Sequence, residues 1–206
     1  MEIMNQLENL KKIAKTKLAK NDPAHDFEHV MRVYRNAEKI CKTESGNKKL
    51  ILSAVLLHDI IKTKNRKDSY LESEKLSEKK IKENNFHDDE IKIISNAIKQ
   101  HSFSKGKIPS PIEGKILQDS DRLDAIGAIG LARVFSFSGS NNRPFYDPND
   151  PFSKNRVLND NRWALDHFYE KLLTLEKKMN TKTGKNLAKK RTKILKNFLK
   201  ELKNEI

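Results

Sequence analysis

The apolar positions of this chain recur with the spacing of amphipathic helices. Over residues 23–42 they fall at i, i+3, i+4 and i+7, which predicts a helix that places them on one face. Asp22 and Pro23 supply its start signal, because aspartate caps a helix and proline is tolerated at the first helical position. The apolar positions of this helix are Val30, Val33, Tyr34, Ala37, Ile40 and Cys41.

The same periodicity continues along the chain. Further helices are predicted over 48–61, 88–101, 110–133, 160–180 and 184–205. Asp88 is the predicted cap of the third helix, and Ser110-Pro111-Ile112-Glu113 forms a capping box ahead of the fourth. Because no window alternates apolar and polar residues with period two, the predicted fold class is all-α, a bundle of helices.

One long segment lacks any periodicity. Gly, Asn, Pro and Asp cluster over 137–160, which predicts a loop. Since neither a repeat nor a convincing linker interrupts the pattern, we expect a single domain over 1–206. Its core would span about 20–135, and its C-terminal helices would span 160–205.

Composition excludes several classes of protein. The longest apolar runs, such as Ala54 to Leu57, are far shorter than the roughly 20 residues of a membrane-spanning helix. The N-terminal residues lack the apolar centre of a secretory signal, and the single cysteine allows no intramolecular disulfide. We therefore expect a cytoplasmic protein that does not enter the membrane.

The net charge of +14 points to an anionic partner: nucleic acid, an anionic membrane surface or a small phosphorylated molecule. Half of the charge lies between Asn180 and Ile206, which contain nine Lys or Arg and two Glu. An apolar stripe predicts that this helix packs on one side and exposes its lysines on the other. The stripe consists of Leu187, Ile194, Phe198 and Leu202. A phosphorylated small molecule is therefore favoured over nucleic acid, and codon bias is an alternative source of the lysines.

Four polar residues interrupt predicted apolar faces: His29, His58, Asp59 and Asp121. Burying such groups costs on the order of several kcal/mol unless they are paired or bind a metal ion. Two imidazoles and two carboxylates suit a divalent cation such as Mn, Fe, Co, Ni or Mg. Taken singly, each has a structural alternative: a hydrogen-bonded core histidine, a chance His-Asp pair, or a solvated face over 119–124. Their placement on three separate predicted helices favours a metal site.

The order H…HD…D, with AHDFEHVMRV around the first histidine and LQDSDRLDAIGAIGLARVF around the last aspartate, resembles a known family. It is similar to the HD-domain metal-dependent phosphohydrolase superfamily, and in particular to its small bacterial nucleotide pyrophosphohydrolase-like branch. The resemblance covers roughly 20–205. It implies a helical bundle of the HD type in which His29, His58, Asp59 and Asp121 are the metal ligands.

The resemblance also implies an activity. The chain would hydrolyse a nucleoside triphosphate to the monophosphate and pyrophosphate by attack of a metal-bound hydroxide. Manganese is the favoured metal, with Mg, Fe, Co or Ni as alternatives. One ion is the simpler interpretation because Ile60-Ile61, rather than further ligands, follow the His-Asp doublet. The alternatives are a nucleotidase, a phosphodiesterase for another phosphate ester, a nucleotide sensor, or a basic helical protein that binds nucleic acid.

Two residues are predicted to act in catalysis. Asp59 would orient the attacking water as well as bind the metal. His101 lies in the core register of its predicted helix, where it would contact the leaving phosphate. Its structural alternative is a histidine that caps the end of that helix.

Further residues are predicted around the substrate. Arg122 resembles the basic residue that follows the last aspartate in several HD families; the alternative is a surface salt bridge with Asp119 or Glu113. His25 and Lys62 are the other predicted substrate contacts, and both also suit exposed positions.

Asp124 is predicted to support the metal ligands from the face of Asp121. The loop residues Arg143, Tyr146 and Arg156 would close over a nucleotide, with Tyr146 or Phe145 stacked on its base, or would lie on the surface without such a role.

Overall fold

A computed structural model describes residues 2–19, 26–60, 66–101 and 108–206. Within these ranges it contains nine α-helices, two 3₁₀ turns and no β-strand, which confirms the all-α prediction. The helices are α1 (Glu2–Leu18), α2 (Phe27–Ile40), α3 (Lys48–Leu57), α4 (Arg66–Glu83), α5 (Asp88–Gln100), α6 (Ile112–Asp124), α7 (Gly127–Ser140), α8 (Asp166–Glu170) and α9 (Lys182–Glu205). The 3₁₀ turns are Leu172–Thr174 and Glu176–Lys178.

The first predicted helix begins later than expected. Asp26, not Asp22, is the N-cap of α2, and its carboxylate accepts a hydrogen bond of 2.8 Å from the backbone N–H of His29. This bond satisfies one of the amide groups that every helix leaves without a partner at its start. α2 therefore begins at Phe27, and the predicted start signal, Asp22 and Pro23, lies outside the described residues.

The predicted helix over 110–133 is two helices. α6 ends at Asp124, and α7 begins at Gly127, whose φ of +81° favours glycine. A Cβ atom at Gly130 would lie 2.2 Å from the carbonyl oxygen of Ala125, so this tight connection also requires glycine there. The two glycines of the AIGAIG segment thus divide the predicted helix.

Three other boundaries also differ from the prediction. The helix predicted over 48–61 ends at Leu57, and His87 rather than Asp88 occupies the N-cap position of α5. Over 160–180 the chain forms only the short α8 and the two 3₁₀ turns.

The backbone divides into two compact units, Met1–Asp121 and Arg122–Ile206. In the first unit α3 is the central helix: every residue from Leu50 to Leu57 is buried, and α1, α2 and α5 pack against it. His58 and Asp59 follow directly, so the end of the most buried helix carries them. The single domain expected over 1–206 stays a prediction.

The second unit is built on the packing of α7 against α9. Phe135, Phe168 and Phe198 form an aromatic cluster whose ring centroids lie 5.7 to 6.1 Å apart. The buried face of α9 is Ala188, Thr192, Leu195 and Leu199, and the lysines of this helix are exposed as predicted. Ile194, predicted to belong to the packed stripe, is instead 45% exposed because the buried face lies one position away.

None of the described helices combines the length and the apolar character needed to cross a membrane. The predicted loop is largely irregular, although α7 extends into it as far as Ser140.

Candidate metal centre

Four segments of the first unit bring histidine and aspartate side chains together. His29 lies in the first turn of α2, and Asp121 lies in α6. His58 is the C-cap of α3 and Asp59 follows it. His101 is the C-cap of α5 and also belongs to the cluster. The capping role and the role in the site, which were alternative predictions, therefore occur in the same residue.

The donor atoms converge closely. His29 Nε2 lies 3.7 Å from Asp121 Oδ1, and His58 Nε2 lies 3.9 Å from Asp59 Oδ2. The other oxygen of Asp59, Oδ1, lies 3.7 Å from His101 Nε2. Two overlapping groups, His29/His58/Asp121 and His58/Asp59/His101, each have their donor atoms within 4.8 Å of one another. Ligands that share one ion at about 2.1 Å lie roughly 3–4 Å apart, so these separations fit a shared cation.

Backbone carbonyls orient two of the histidine rings. The Nδ1 atom of His58 lies 2.7 Å from the carbonyl oxygen of Val55, and Nδ1 of His101 lies 2.5 Å from that of Ile98. Because a carbonyl oxygen can only accept, Nδ1 carries the hydrogen in both rings. The Nε2 atom of each ring then points toward Asp59, as in histidines that bind metals.

The hydrogen bonds of the cluster leave a buried nitrogen atom that a cation would satisfy. His58 Nε2 is buried and makes no hydrogen bond within the described part of the chain. With Nδ1 protonated, this atom has a lone pair, and a buried lone pair without a partner is costly. A divalent ion bound to Nε2 would satisfy this lone pair.

Burial and charge set the protonation of the cluster. Burial lowers the pKa of His58, which favours the neutral ring that coordinates metals. Burial alone would raise the pKa of Asp59, but His58, His101 and His29 hold it well below its usual range. Burial would likewise lower the pKa of His101, but the Asp59 carboxylate outweighs burial and raises it. These shifts favour the anionic form of Asp59 and the protonated form of His101.

Three buried polar side chains that the sequence analysis missed support the site. Asn36 Nδ2 donates to the carbonyl oxygen of Ser120 at 3.0 Å, next to Asp121. The Ser77 hydroxyl donates to the carbonyl oxygen of Leu57, which precedes His58. The Gln118 amide donates to the carbonyl oxygen of His101. Asn36 had a visible signal, because it shares the buried face of α2 with Val33, Ala37 and Ile40.

Two predicted site residues, Arg122 and Asp124, belong to the second unit and have partners within it. Arg122 is only 8% exposed and donates to the carbonyl oxygen of Lys178, so it does not lie on the surface. Asp124 is buried and accepts from Arg133 Nη1 at 2.7 Å. The alternative of a solvated face over 119–124 is also wrong, since Asp119 and Ser120 are fully buried. His25 and Lys62 lie outside the described residues.

The loop arginines are engaged within the second unit. Arg156 forms two hydrogen bonds with Asp166, and Arg143 binds Ser138 and the carbonyl of Asp160. These bonds hold the loop together. Phe145 and Tyr146 line an apolar pocket of about 260 Å³, whose other lining residues are Phe135, Leu165, Phe198 and Leu202.

Comparison with known proteins agrees with this cluster. The HD domain family matches residues 26–126, a range that contains all five clustered residues. The Bacillus subtilis protein YpgQ is 32% identical over 211 residues, which cover 100% of this chain and 96% of YpgQ.

Two solved structures resemble the chain over nearly its whole length. The crystal structure of Bacillus subtilis YpgQ in complex with ADP has a TM-score of 0.81 at 29% identity, covering 100% of this chain and 97% of that one. An HD-superfamily hydrolase from Bacillus thuringiensis has a TM-score of 0.77 at 32% identity, covering 98% and 97%.

Proposed function

Because the chain belongs to the HD-domain superfamily, we propose that it is a metal-dependent phosphohydrolase that converts a nucleoside triphosphate to the monophosphate and pyrophosphate. The observation that carries the proposal is the cluster itself. Three imidazoles and two carboxylates converge in a helical core, and His58 Nε2 has no hydrogen-bond partner among the described residues.

His29, His58, Asp59 and Asp121 are the proposed ligands of one divalent ion. Their mixed nitrogen and oxygen donors favour manganese, with Mg, Fe, Co and Ni as alternatives. When bound, such an ion polarises a phosphate oxygen and lowers the pKa of water.

The chain's own residues have distinct proposed roles. One oxygen of Asp59 faces His58 and the other faces His101, so a single carboxylate reaches both the ligand set and the catalytic histidine. Asp59 is the residue proposed to orient the attacking water. His101 is the proposed proton donor to the leaving phosphate: the carbonyl of Ile98 holds the hydrogen on Nδ1, and the protonated ring would donate its second hydrogen from Nε2, beside Asp59.

The proposal of a nucleotide substrate is supported by the ADP complex of YpgQ. Arg122, His25 and Lys62 are the proposed contacts of the phosphate chain. Asp124 is a proposed supporting carboxylate, held by Arg133. A nucleotidase or a phosphodiesterase would use the same centre on another phosphate ester, and product identity separates these activities.

A second candidate function rests on a different surface. The α9 helix exposes a row of lysines that includes Lys185, Lys189, Lys193, Lys196 and Lys200, a charge pattern suited to nucleic acid. Salt-dependent binding to random duplex DNA that is unchanged by loss of His58 would favour this function.

The test is hydrolysis by metal-stripped protein reloaded with each divalent ion in turn. A panel of nucleoside triphosphates is supplied and the products are separated by chromatography. We expect manganese-dependent release of monophosphate and pyrophosphate by the wild type, and none by His58→Asn. His87→Asn is the matched control, because His87 is an exposed N-cap and asparagine also caps helices well. Failure to release phosphate or pyrophosphate with any ion, or equal activity of His58→Asn, would overturn the proposal.

A further inference from the structure

Two helices of the first unit end in the same way at the metal centre. His58 is the C-cap of α3 and His101 is the C-cap of α5, and both residues have αR backbone angles. The last carbonyl groups of a helix receive no hydrogen bond from within that helix. Since both helix ends are buried, these carbonyls need donors from elsewhere in the fold.

A serine supplies the donor at the first helix end. Ser77 lies in α4 and is buried, and its hydroxyl donates to the carbonyl oxygen of Leu57 at 3.0 Å. Leu57 directly precedes His58, so this bond fixes the peptide that begins the His-Asp doublet.

A glutamine supplies the donor at the second helix end. Gln118 lies in α6 and is buried, and its Nε2 donates to the carbonyl oxygens of Gln100 at 3.3 Å and of His101 at 3.2 Å. The amide therefore joins the last two peptides of this end, including that of the histidine itself.

Each histidine is thus held at two points. The backbone at His58 is fixed through Ser77, and the backbone at His101 through Gln118. Each ring is held separately, because its Nδ1 hydrogen bonds to the carbonyl three residues earlier. Fixing both the peptide and the ring leaves Nε2 with one direction, toward Asp59.

We propose that Ser77 and Gln118 are positioning residues that set the two C-cap histidines of the metal centre. Ser77 acts through the metal ligand His58, and Gln118 acts through the catalytic His101. The inference rests on the proposed function, and neither residue belongs to the H…HD…D pattern.

Ser77→Ala removes the first donor with little change in volume. We expect Mn²⁺ to bind about tenfold more weakly, at the lower end of the loss usual when a group supporting a metal ligand is removed. Ser53→Ala is the matched control, because Ser53 is equally buried but its hydroxyl donates at 2.9 Å to Lys49 of its own helix. Ser77→Thr keeps a hydroxyl and should restore most of the affinity.

Gln118→Met removes the second donor and keeps the length of the side chain. We expect kcat to fall about tenfold with KM and Mn²⁺ affinity near wild type, a partial loss of the roughly 10²–10⁴-fold that a positioned proton donor contributes. Inorganic phosphate should also bind the manganese-loaded variant more weakly. Gln6→Met is the matched control, since Gln6 Nε2 likewise donates to two consecutive carbonyls at a helix end, Asn84 at 2.8 Å and Asn85 at 3.1 Å.

Titration calorimetry of Mn²⁺ and of inorganic phosphate, beside melting temperatures, separates positioning from stability. Each variant and its control should lose similar stability, and only Ser77→Ala and Gln118→Met should change the site. If the wild type binds Mn²⁺ and Ser77→Ala binds it equally well, the inference is overturned while the proposed function stands. If the wild type binds no divalent ion, the proposed function itself fails. Should Gln118→Met fail to fold, the Mn²⁺ affinities of Ser77→Ala and Ser77→Thr test the inference.

Discussion

Two buried polar clusters, one in each unit, differ in how their hydrogen bonds are satisfied. In the second unit, Asp166 is fully buried and accepts from both Nη atoms of Arg156, at 2.6 and 2.8 Å. It also accepts from the backbone of Asn159 at 2.7 Å and from Ser153 at 3.1 Å. In the first unit, His58 Nε2 has no such partner among the described residues. A complete network holds the chain together, whereas converging donor atoms without partners indicate a ligand.

Shifts in pKa alone do not separate the two clusters. Burial would raise the pKa of Asp166, but Arg156, Asn159 and Ser153 lower it below its usual value. The pKa of Asp59 is lowered as well, by the histidines around it. The two clusters therefore differ in whether their buried polar atoms have hydrogen-bond partners, not in the direction of their pKa shifts.

The largest expected effect is that of His58→Asn on activity. Loss of a metal ligand removes the electrostatic stabilisation supplied by the ion, so we expect hydrolysis to fall by about 10³-fold or more. The melting temperature without metal should stay close to wild type, because His58 Nε2 makes no hydrogen bond within the described structure and the asparagine amide keeps a donor for the Val55 carbonyl that His58 Nδ1 serves. Steady-state kinetics and calorimetric melting check both expectations. A large loss of stability with activity retained would make His58 a structural residue.

Asp166→Ala should have the opposite profile. Removing the carboxylate takes from the Arg156 Nη atoms and the Asn159 amide their carboxylate acceptor, although Arg156 Nε keeps Asp147, so the free energy of unfolding should fall by about 3 kcal/mol. Urea denaturation measures this change. Mn²⁺ affinity of the folded variant should remain within about twofold of wild type. A tenfold loss of affinity would show that the two clusters do not have separate roles.

Acid should weaken the Asp166 network in a defined direction. Because the folded-state pKa of Asp166 lies below that of the unfolded chain, the network stabilises the protein above about pH 4 and loses that effect as pH falls through the folded-state pKa. Urea midpoints of chelator-treated protein from pH 7 to 2.5 should show this loss. Asp166→Asn should remove part of the acid slope; an unchanged slope would contradict the assigned pairing.

The smallest effect is expected on the exposed face of α9. Lys189 and Lys193 are exposed, so changing both to Gln should alter the free energy of unfolding by less than about 0.5 kcal/mol. Hydrolysis should also stay near wild type. A marked loss of activity would mean that the lysine face takes part in binding the substrate.

Periodicity predicted the all-α class, and polar interruptions of apolar faces identified the residues that cluster. His29, His58, Asp59 and Asp121 stood out because each placed an ionisable group where a helix buries its surface. His101 could be placed for the same reason, although its position as the C-cap of α5 depends on where that helix ends.

Other features depend on information that local patterns do not carry. The division of the predicted helix over 110–133 depends on a positive φ at Gly127. The bonds from Asn36 to Ser120 and from Ser77 to Leu57 join residues 84 and 20 positions apart, so only the folded chain shows what these side chains do. The partner of Arg122 is the carbonyl oxygen of Lys178, 56 positions away, and the partner of Asp124 is Arg133 in the next helix.

The most direct test of the metal centre is a calorimetric titration of chelator-treated protein with Mn²⁺. The wild type should bind one equivalent, and His58→Asn and Asp121→Asn should each bind none under the same conditions. His87→Asn should behave as wild type. Two results would contradict the assignment of His29, His58, Asp59 and Asp121 as ligands. The wild type would bind neither manganese nor any of the alternative divalent ions, or the variants would bind as the wild type does.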